Sequence, residues 1–474
     1  MFADHNRLET WDSYEFAPDG RPHLYSPGLH ILIWWIHKIS ALDYMDIGRL
    51  LVIIQAFLTI FFLWSIGRKF FNPAVAFYAL IFFSSCTESW WWQTSVVPSS
   101  LVVMWSLPFI YLLYQKRWWP CLIILTTSLY LHYGITYLLF LIVLLFPILS
   151  ASARKEYIRA IGAISAGSLL LFTPWLVHMW KFRYYFTHHA TSTGGLPLIS
   201  SKIVSDEIIL NLNNLLWLFA LIGVAHCLMH RKKDPKLALL LSSFVSFLIF
   251  LFLFRGVRFN SHSPIVNSLL AGVGLSLTVD WLVRFFKKRG LRGVRTLSYS
   301  FLTLILAVTI LFELHLIPPS HLKRAKYHGK LMGLSNNDLY LRPTPLVNEI
   351  RAVVQKTSLK GKHRIRIQDF FTSPSTVALI DYLKKEVDPR SVIHIRNGAL
   401  ACYLTLKTEI KTDWGMFWEI ITPEMLREIT ERRKDGIYIS KDPTFKKLLI
   451  GHEESRKRLK VIAKIGPYKI GEVK

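Results

Sequence analysis

Acidic residues are scarce in this chain: 31 Asp and Glu stand against 57 Lys and Arg, for a formal charge of +26. Cysteine is scarcer still, with four in 474 residues. Cys86, Cys121, Cys227 and Cys402 lie far apart and three of them sit inside apolar runs, which excludes a disulfide framework and a cysteine metal cluster and leaves packing as their role. A charged leader with a small-residue cleavage site is missing, and so are internal repeats, heptad arrays and low-complexity tracts. Charge is also sparse within the long apolar runs. The basic surplus by itself suggests nucleic acid, but much of it falls in short loops between those runs, where it orients a membrane protein and favours anionic head groups. Nucleic acid is therefore discounted as a partner.

What is abundant is hydrocarbon. Hydrophobic residues make up 52% of the chain, with 16 Trp and 31 Phe, and the mean hydropathy is +0.33. These values lie outside ordinary soluble domains and predict a polytopic membrane protein. Apolar stretches of spanning or near-spanning length run at 48–67, 71–86, 97–114, 118–131, 135–149, 157–178, 208–229, 237–254, 264–286 and 296–317, giving about ten transmembrane helices. A further run, Gly28 to Leu42, carries His30, His37 and Lys38 and is short of the ~20 residues a crossing needs.

Basic loops set the topology. With residues 28–42 lying in the interface, the clusters at 68–69, 116–117, 154–159, 231–236 and 287–295 share one side, which the positive-inside rule makes cytoplasmic. Trp34 and Trp35 suit the head-group level, so that segment reads as in-plane or re-entrant. The same parity puts the N-terminal segment, residues 87–96, the His132 turn, residues 179–207 and residues 255–263 on the external face, together with the tail from Pro318. An external N-terminus with no span before it is unusual, and the expectation is that a leading transmembrane helix is missing.

From residue 344 the pattern changes to that of a soluble domain. Helical periodicity at 344–357 and 374–386, the strand SVIHIR, a helix opened by Thr422 and Pro423, the strand GIYIS and the pair LKVIAKI and YKIGEV alternate in the α/β manner. The predicted organisation is an external first loop with its in-plane segment (1–47), a transmembrane helical domain (48–317), a linker (318–343) and a soluble extracytoplasmic α/β domain (344–474).

The external loops hold more chemistry than connectors need. The first 37 residues contain Asp4, His5, Arg7, Glu9, Asp12, Glu15 and Asp19 beside a membrane bundle; the alternative is a solvated tail. Residues 87–96, TESWWWQTSV, carry Glu88 and Gln93. A carboxylate at a span end is costly unless it faces water or a partner, whereas three Trp there suit an aromatic belt as well as a sugar platform. His132, in LYLHYGITY, is either hydrogen-bonded packing or a functional group. His188 and His189 are adjacent and do not share a helix face as metal ligands would. In FRGVRFNSHSP, Arg255 and Arg258 are three apart at a span end. Two guanidinium groups there suit a phosphate or diphosphate held in bidentate fashion, with snorkelling to lipid phosphate as the alternative. Together the carboxylates and the arginine pair describe a site that holds a phosphorylated lipid while a carboxylate acts as base or metal ligand.

The run DHNRLETWDSYEFAPDGRPHLYSPGLHILIWWI resembles the first external loop of the GT-C membrane glycosyltransferases, above all the archaeal branch akin to the oligosaccharyltransferase catalytic subunit and the dolichyl-phosphate-sugar mannosyltransferases. Asp4, His5, Arg7, Tyr25, Pro27, Gly28 and Leu29 occupy the places of that loop's Asp, His, Arg and Tyr-x-Pro-Gly-Leu. GRKFF, SSCTES, VVPSSLVVM and RFNSHSPIVNSLLAGVGL follow the family's layout, which extends over roughly residues 1–290 and is specific mainly in the first 70. The resemblance implies an all-α polytopic bundle with a C-terminal extracytoplasmic α/β domain, in the cell membrane, transferring a sugar or oligosaccharide from a polyprenyl or dolichyl (di)phosphate carrier to a glycan or protein acceptor. It implies Asp4 as catalytic base or metal ligand and Arg258 as a contact to the carrier phosphate. A divalent ion, Mg2+ or Mn2+, follows from the same likeness.

Departures from the family bear on the details. The second acidic motif is reduced to Glu88, which leaves metal dependence open. In place of WWDYG the soluble domain offers TDWG at Thr412 to Gly415, which argues against N-glycosylation and for a transferase of the wider superfamily. The expected site is Asp4 and Glu88 as catalytic carboxylates, with His5, Arg7, Tyr25, His30, Gln93, His132, Arg255 and Arg258 binding substrate. The rival reading is a catalytically inactive relative or a lipid-linked glycan transporter or scaffold, but a transporter predicts mid-span charges and inverted halves that the sequence does not offer.

Overall fold

A computed structural model describes residues 10–14, 20–84, 93, 97–150, 154–183, 185, 214–253, 262–289, 300–301, 304, 374–395, 398–413, 436–441 and 459–473. The chain forms two compact units. One gathers Met1–Tyr25, Leu176–Gly195 and Gly361–Lys474, and the other Ser26–Trp175 and Leu196–Lys360. The expected linker at 318–343 and the helices at 344–357 and from Thr422 lie outside the described residues.

The second unit is helical. Its elements are α1 (Gly28–Ser40), α2 (Tyr44–Phe70), α3 (Pro73–Ser84), α4 (Pro98–Tyr114), α5 (Trp118–Leu149), α6 (Arg154–Lys181), α7 (Asn214–His230), α8 (Pro235–Leu253) and α9 (Pro264–Lys288), with α6 continuing beyond the unit. Proline at the first helical position opens α4 and α9, where a missing N–H costs nothing. Asn72 caps α3 by accepting the Val75 N–H at 2.9 Å.

Among the described residues four helices, at Asp46–Phe70, Trp118–Leu149, Tyr157–Lys181 and Pro264–Lys288, are long and apolar enough to cross a membrane, and four shorter apolar helices accompany them. The protein is an integral membrane protein. The segments 118–131 and 135–149, expected as separate spans joined by a turn, are two helices that meet across a kink at His132 (φ −160, ψ 90), within one run of 32 residues. Of the tenth expected span, 296–317, only residues 300, 301 and 304 are described. Helix α1 has 13 residues, about 20 Å at 1.5 Å per residue, against a hydrocarbon core of about 30 Å. It turns Ile33 and Ile36 to the core and leaves Leu32, Trp35 and Ile39 exposed.

Helix α9 is the centre of this unit: every residue from Pro264 to Leu275 is buried. Lipid is as apolar as a leucine side chain, so helices associate here through close packing, which small residues permit. A Cβ at Gly272 would lie 2.5 Å from Val75 O of α3, and one at Gly274 would collide with Phe219 O of α7. Gly223 on α7 answers with the same closeness to Leu270 O. The backbones of α3, α9 and α7 therefore meet along glycine seams. The buried Cys121 and Cys227 are free thiols.

In the other unit α10 (Pro374–Glu386) and α11 (Gly398–Thr408) accompany a five-stranded sheet of order β4-β3-β5-β7-β6, in which β3 is Val392–His394, β4 Lys411–Thr412, β5 Gly436–Lys441, β6 Leu459–Ile465 and β7 Tyr468–Val473. β3 runs parallel to β4 and β5, and β7 antiparallel to β5 and β6. The β6–β7 hairpin turns through Gly466 at φ +53. Leu379 and Leu383 of α10 and Leu400 and Leu404 of α11 close over Ile393, Ile439 and Ile470 of the sheet. A small antiparallel hairpin, β1 (Trp11–Asp12) with β2 (Arg21–Pro22), belongs to this same unit. Its Gly20 takes φ +71 against Asp12 O, an approach a side chain would block.

Gly274→Leu is expected to cost at least 1–3 kcal/mol by overpacking and to lower both folded yield and the thermal midpoint in detergent. Gly162→Ala, where nothing lies within 4 Å, is the control and is expected to be neutral or slightly stabilising. Equal midpoints for the two variants would show that the seam does not hold the bundle.

Candidate active site

The break in α5 is where the sequence motifs of the first loop meet the bundle. An intact helix would bond the Tyr133 N–H to the Leu129 carbonyl. Here the Ser26 hydroxyl stands between them, donating to Leu129 O at 3.1 Å and accepting from Tyr133 N at 3.3 Å. A side chain inserted in this way is an established cause of a helix kink. Gly28 completes the fit, since a Cβ there would lie 2.6 Å from Tyr130 O. The SPG of the Tyr-Ser-Pro-Gly-Leu motif is thus the part that enters the kink.

His132 sits at the break, half-buried, and its ring serves the backbone. Nδ1 accepts the Ile135 N–H at 3.1 Å, and the His132 carbonyl accepts the Thr136 hydroxyl at 2.9 Å. A ring nitrogen that accepts carries no proton, so the neutral ring bears its hydrogen on Nε2 and presents a donor there. Tyr130 anchors the preceding turn by donating to Leu171 O at 3.0 Å and by an edge contact to Phe172.

His262, two residues before α9, is a second imidazole at this site. It is 1% exposed. Burial, and to a smaller degree the neighbouring His132 imidazole, push its imidazole down to about 3, so it stays neutral at physiological pH. In the first turns of α9, Asn267 Oδ1 and Ser268 Oγ are buried and have no hydrogen-bond partner among the described residues. Buried polar atoms of this kind imply a water or a polar ligand. A neutral imidazole such as that of His132 can bond the hydroxyl group of a sugar.

Gln93, expected to line the substrate pocket, is 1% exposed and held by α2. Its carboxamide oxygen accepts from Gln55 Nε2 at 3.3 Å and from Thr59 Oγ1 at 3.1 Å. His30 is exposed on α1 and Tyr25 is half-buried immediately before Ser26. Asp4, His5, Arg7, Glu88, Arg255 and Arg258 lie outside the described residues. Among the described residues no group of three or more His, Cys, Asp or Glu comes together to hold a metal.

The sequence reading missed Ser26, His262, Gln55 and Thr59. The last two carried a signal, being polar residues four apart in a long apolar run and so on one helix face. His262 lay within the Arg-rich segment already singled out. Ser26 had no signal of its own, because its role depends on a helix break a hundred residues later.

No family model matches this chain, and no curated protein matches its sequence. Solved structures do match. The crystal structure of ArnT from Cupriavidus metallidurans bound to undecaprenyl phosphate has a TM-score of 0.58 at 10% identity, over 96% of this chain and 89% of that one. The archaeal oligosaccharyltransferase AglB from Archaeoglobus fulgidus, in complex with an inhibitory peptide and a dolichol-phosphate, has a TM-score of 0.56 at 12% identity, over 99% of this chain and 68% of that one. The oligosaccharyltransferase of that organism in complex with Zn and sulfate matches with a TM-score of 0.50 at 12% identity, over 94% of this chain and 64% of its own. At such identities the likeness is one of fold alone: this chain shares the fold of these solved structures.

Ser26→Ala keeps the packing but strands Leu129 O and Tyr133 N, at about 1–3 kcal/mol for a buried group left unsatisfied. A lower thermal midpoint is expected, with Ser40→Ala, an exposed hydroxyl, as control; an unchanged midpoint would mean that the hydroxyl does not maintain the break. The depressed His262 value has its own signature. An unfolded histidine titrates near 6.5, so stability is at its full value above about pH 6.5 and falls as the pH is lowered from there through about 3. His262→Phe is expected to flatten that acid limb in pH-dependent melting, and an unaltered limb would assign it to other groups.

Proposed function

We propose that this protein is a membrane glycosyltransferase that moves a sugar or oligosaccharide from a polyprenyl or dolichyl (di)phosphate carrier to an acceptor on the extracytoplasmic face. The observation that carries this reading is a fold shared over nearly the whole chain with two proteins, one bound to undecaprenyl phosphate and the other to dolichol-phosphate. It is supported by the first-loop motif and by the buried polar groups around the α5 break. The α/β domain and the first loop share the external side in this reading.

In the proposed reaction an acceptor oxygen attacks the anomeric carbon. The bond from that carbon to the carrier phosphate oxygen breaks, and its electron pair stays on the phosphate. Asp4 takes or orients the acceptor proton, with Glu88 as the second carboxylate. Arg258 and Arg255 meet the charge that develops on the leaving phosphate. His132, through Nε2–H, orients sugar hydroxyl groups, and His5, Arg7, Tyr25, His30 and Gln93 are the further substrate-binding residues of this reading. The related structure with Zn supports a divalent ion, Mg2+ or Mn2+, near Asp4 as a Lewis acid; because Asp4 is outside the described residues, no step here depends on it.

Transfer of radiolabelled sugar from polyprenyl-phosphate donors in membranes tests the proposal. Asp4→Ala is expected to reduce transfer by a factor of about 10²–10⁴, the usual contribution of a general base. Arg258→Ala is expected to fall in kcat. Full transfer by a well-expressed Asp4→Ala protein would remove Asp4 from the mechanism.

A further inference from the structure

The TDWG stretch, set aside in sequence terms as an imperfect acceptor motif, has a different role. Asp413 is 2% exposed and both of its carboxylate oxygens are occupied. Oδ2 accepts from His394 Nδ1 at 3.0 Å and Oδ1 from the Ile395 N–H at 3.0 Å. His394 in turn stacks on Tyr438 of β5, with ring centroids 4.5 Å apart and planes at 27°. The carboxylate so fixes the end of β4 to β3, an arrangement completed by the Asp413 N–H on Ile393 O. A carboxylate committed in this way is not available to bind an acceptor.

β4 is an edge strand. Edges present unpaired N–H and C=O groups, and here the outward N–H of Thr412 donates to the carbonyl of Tyr14 at 2.9 Å. Tyr14 belongs to the first loop, and that loop is itself ordered around the contact. The Tyr14 N–H donates to Asp12 Oδ1 at 3.1 Å, and His23 N–H donates to Thr10 O at 2.9 Å to close the β1–β2 hairpin. His178 Nε2 donates to His23 O at 3.0 Å, while Trp11 packs on Phe182 and Tyr185.

We infer that the Asp413–His394 clasp is a positioning device: it holds the β4 edge in register so that Thr412 fixes the first loop at Tyr14, ten residues from Asp4. Asp413 is on this account a positioning residue that touches no substrate. The inference rests on the proposed glycosyl transfer only for its effect on rate; its structural half stands without it.

The experiment compares the wild-type protein with Asp413→Ala, Asp413→Asn and Thr412→Pro by hydrogen exchange of residues 10–25 and by steady-state transfer. Asn at 413 still accepts from Ile395 and, with the other histidine tautomer, still pairs with His394. Proline at 412 removes the N–H that reaches Tyr14 while leaving the clasp. The expected result is faster exchange in residues 10–25 for Asp413→Ala and Thr412→Pro, with kcat at least tenfold lower and KM for the lipid donor unchanged. Asp413→Asn is expected to stay within about threefold of wild type, close to half a log unit. Wild-type exchange in both Asp413→Ala and Thr412→Pro would overturn the inference, as would faster exchange with full kcat. If Asp413→Ala fails to fold, Thr412→Pro decides. Absence of transfer by the wild-type protein would instead remove the proposed reaction, and the exchange data alone would then decide whether the clasp holds the loop.

Discussion

A helix break packed within protein has no bulk water to repair it, so each backbone group it frees must find a partner in the chain. At His132 that requirement is met by one hydroxyl, Ser26, which takes both ends of the interrupted Leu129–Tyr133 bond. Much of the helical unit's polar architecture depends on this. The chain must enter through the Ser-Pro-Gly stretch, because only a residue without a side chain fits against Tyr130 O at Gly28. Helix α1 can then begin, and His132, released from helical geometry, turns its Nδ1 to Ile135 and its Nε2 elsewhere. A polar site within an apolar bundle is thereby built from backbone that the protein satisfies itself.

The surroundings are stiff for a related reason. Between helices already immersed in lipid the hydrophobic effect supplies little, and close contact supplies more. The seams at Gly223, Gly272 and Gly274 bring the backbones of α7, α3 and α9 together, and the first turns of α9 carry Asn267 and Ser268, with His262 just before them, buried alongside this packing. Polar groups that pay a desolvation cost are held on the most rigid element available.

Much of the fold was legible because it depends on local pattern. The helix at 374–386 and the strands 459–465 and 468–473 fall where periodicity put them, and the eight apolar helices follow the apolar runs. What could not be read were features set by distant partners. The end of α1 is one: its C-cap is Ala41 in the left-handed region at φ 54, not the glycine that usually marks such a stop. The way the break at His132 is held is another: LYLHYGITY marks an interruption, but the hydroxyl that fills it is Ser26, a hundred residues earlier. Of the candidate site, His132 and Gln93 were found as polar residues in apolar company, but the partners that give each its chemistry, Ser26 for one and Gln55 and Thr59 for the other, come from elsewhere in the chain.

The hydrogen bond from Thr412 to Tyr14 also sets an order of assembly. The first loop is made early and the strand that receives it comes near the end of synthesis, with the membrane helices made in between. At about 5–20 residues per second, translation of that interval takes on the order of tens of seconds. Throughout it the loop lacks its partner edge, so this unit completes its fold only after the bundle has been threaded into the bilayer. Maturation of the loop therefore reports that synthesis has passed β4, and a ribosome that stops short of it leaves the first loop unsecured.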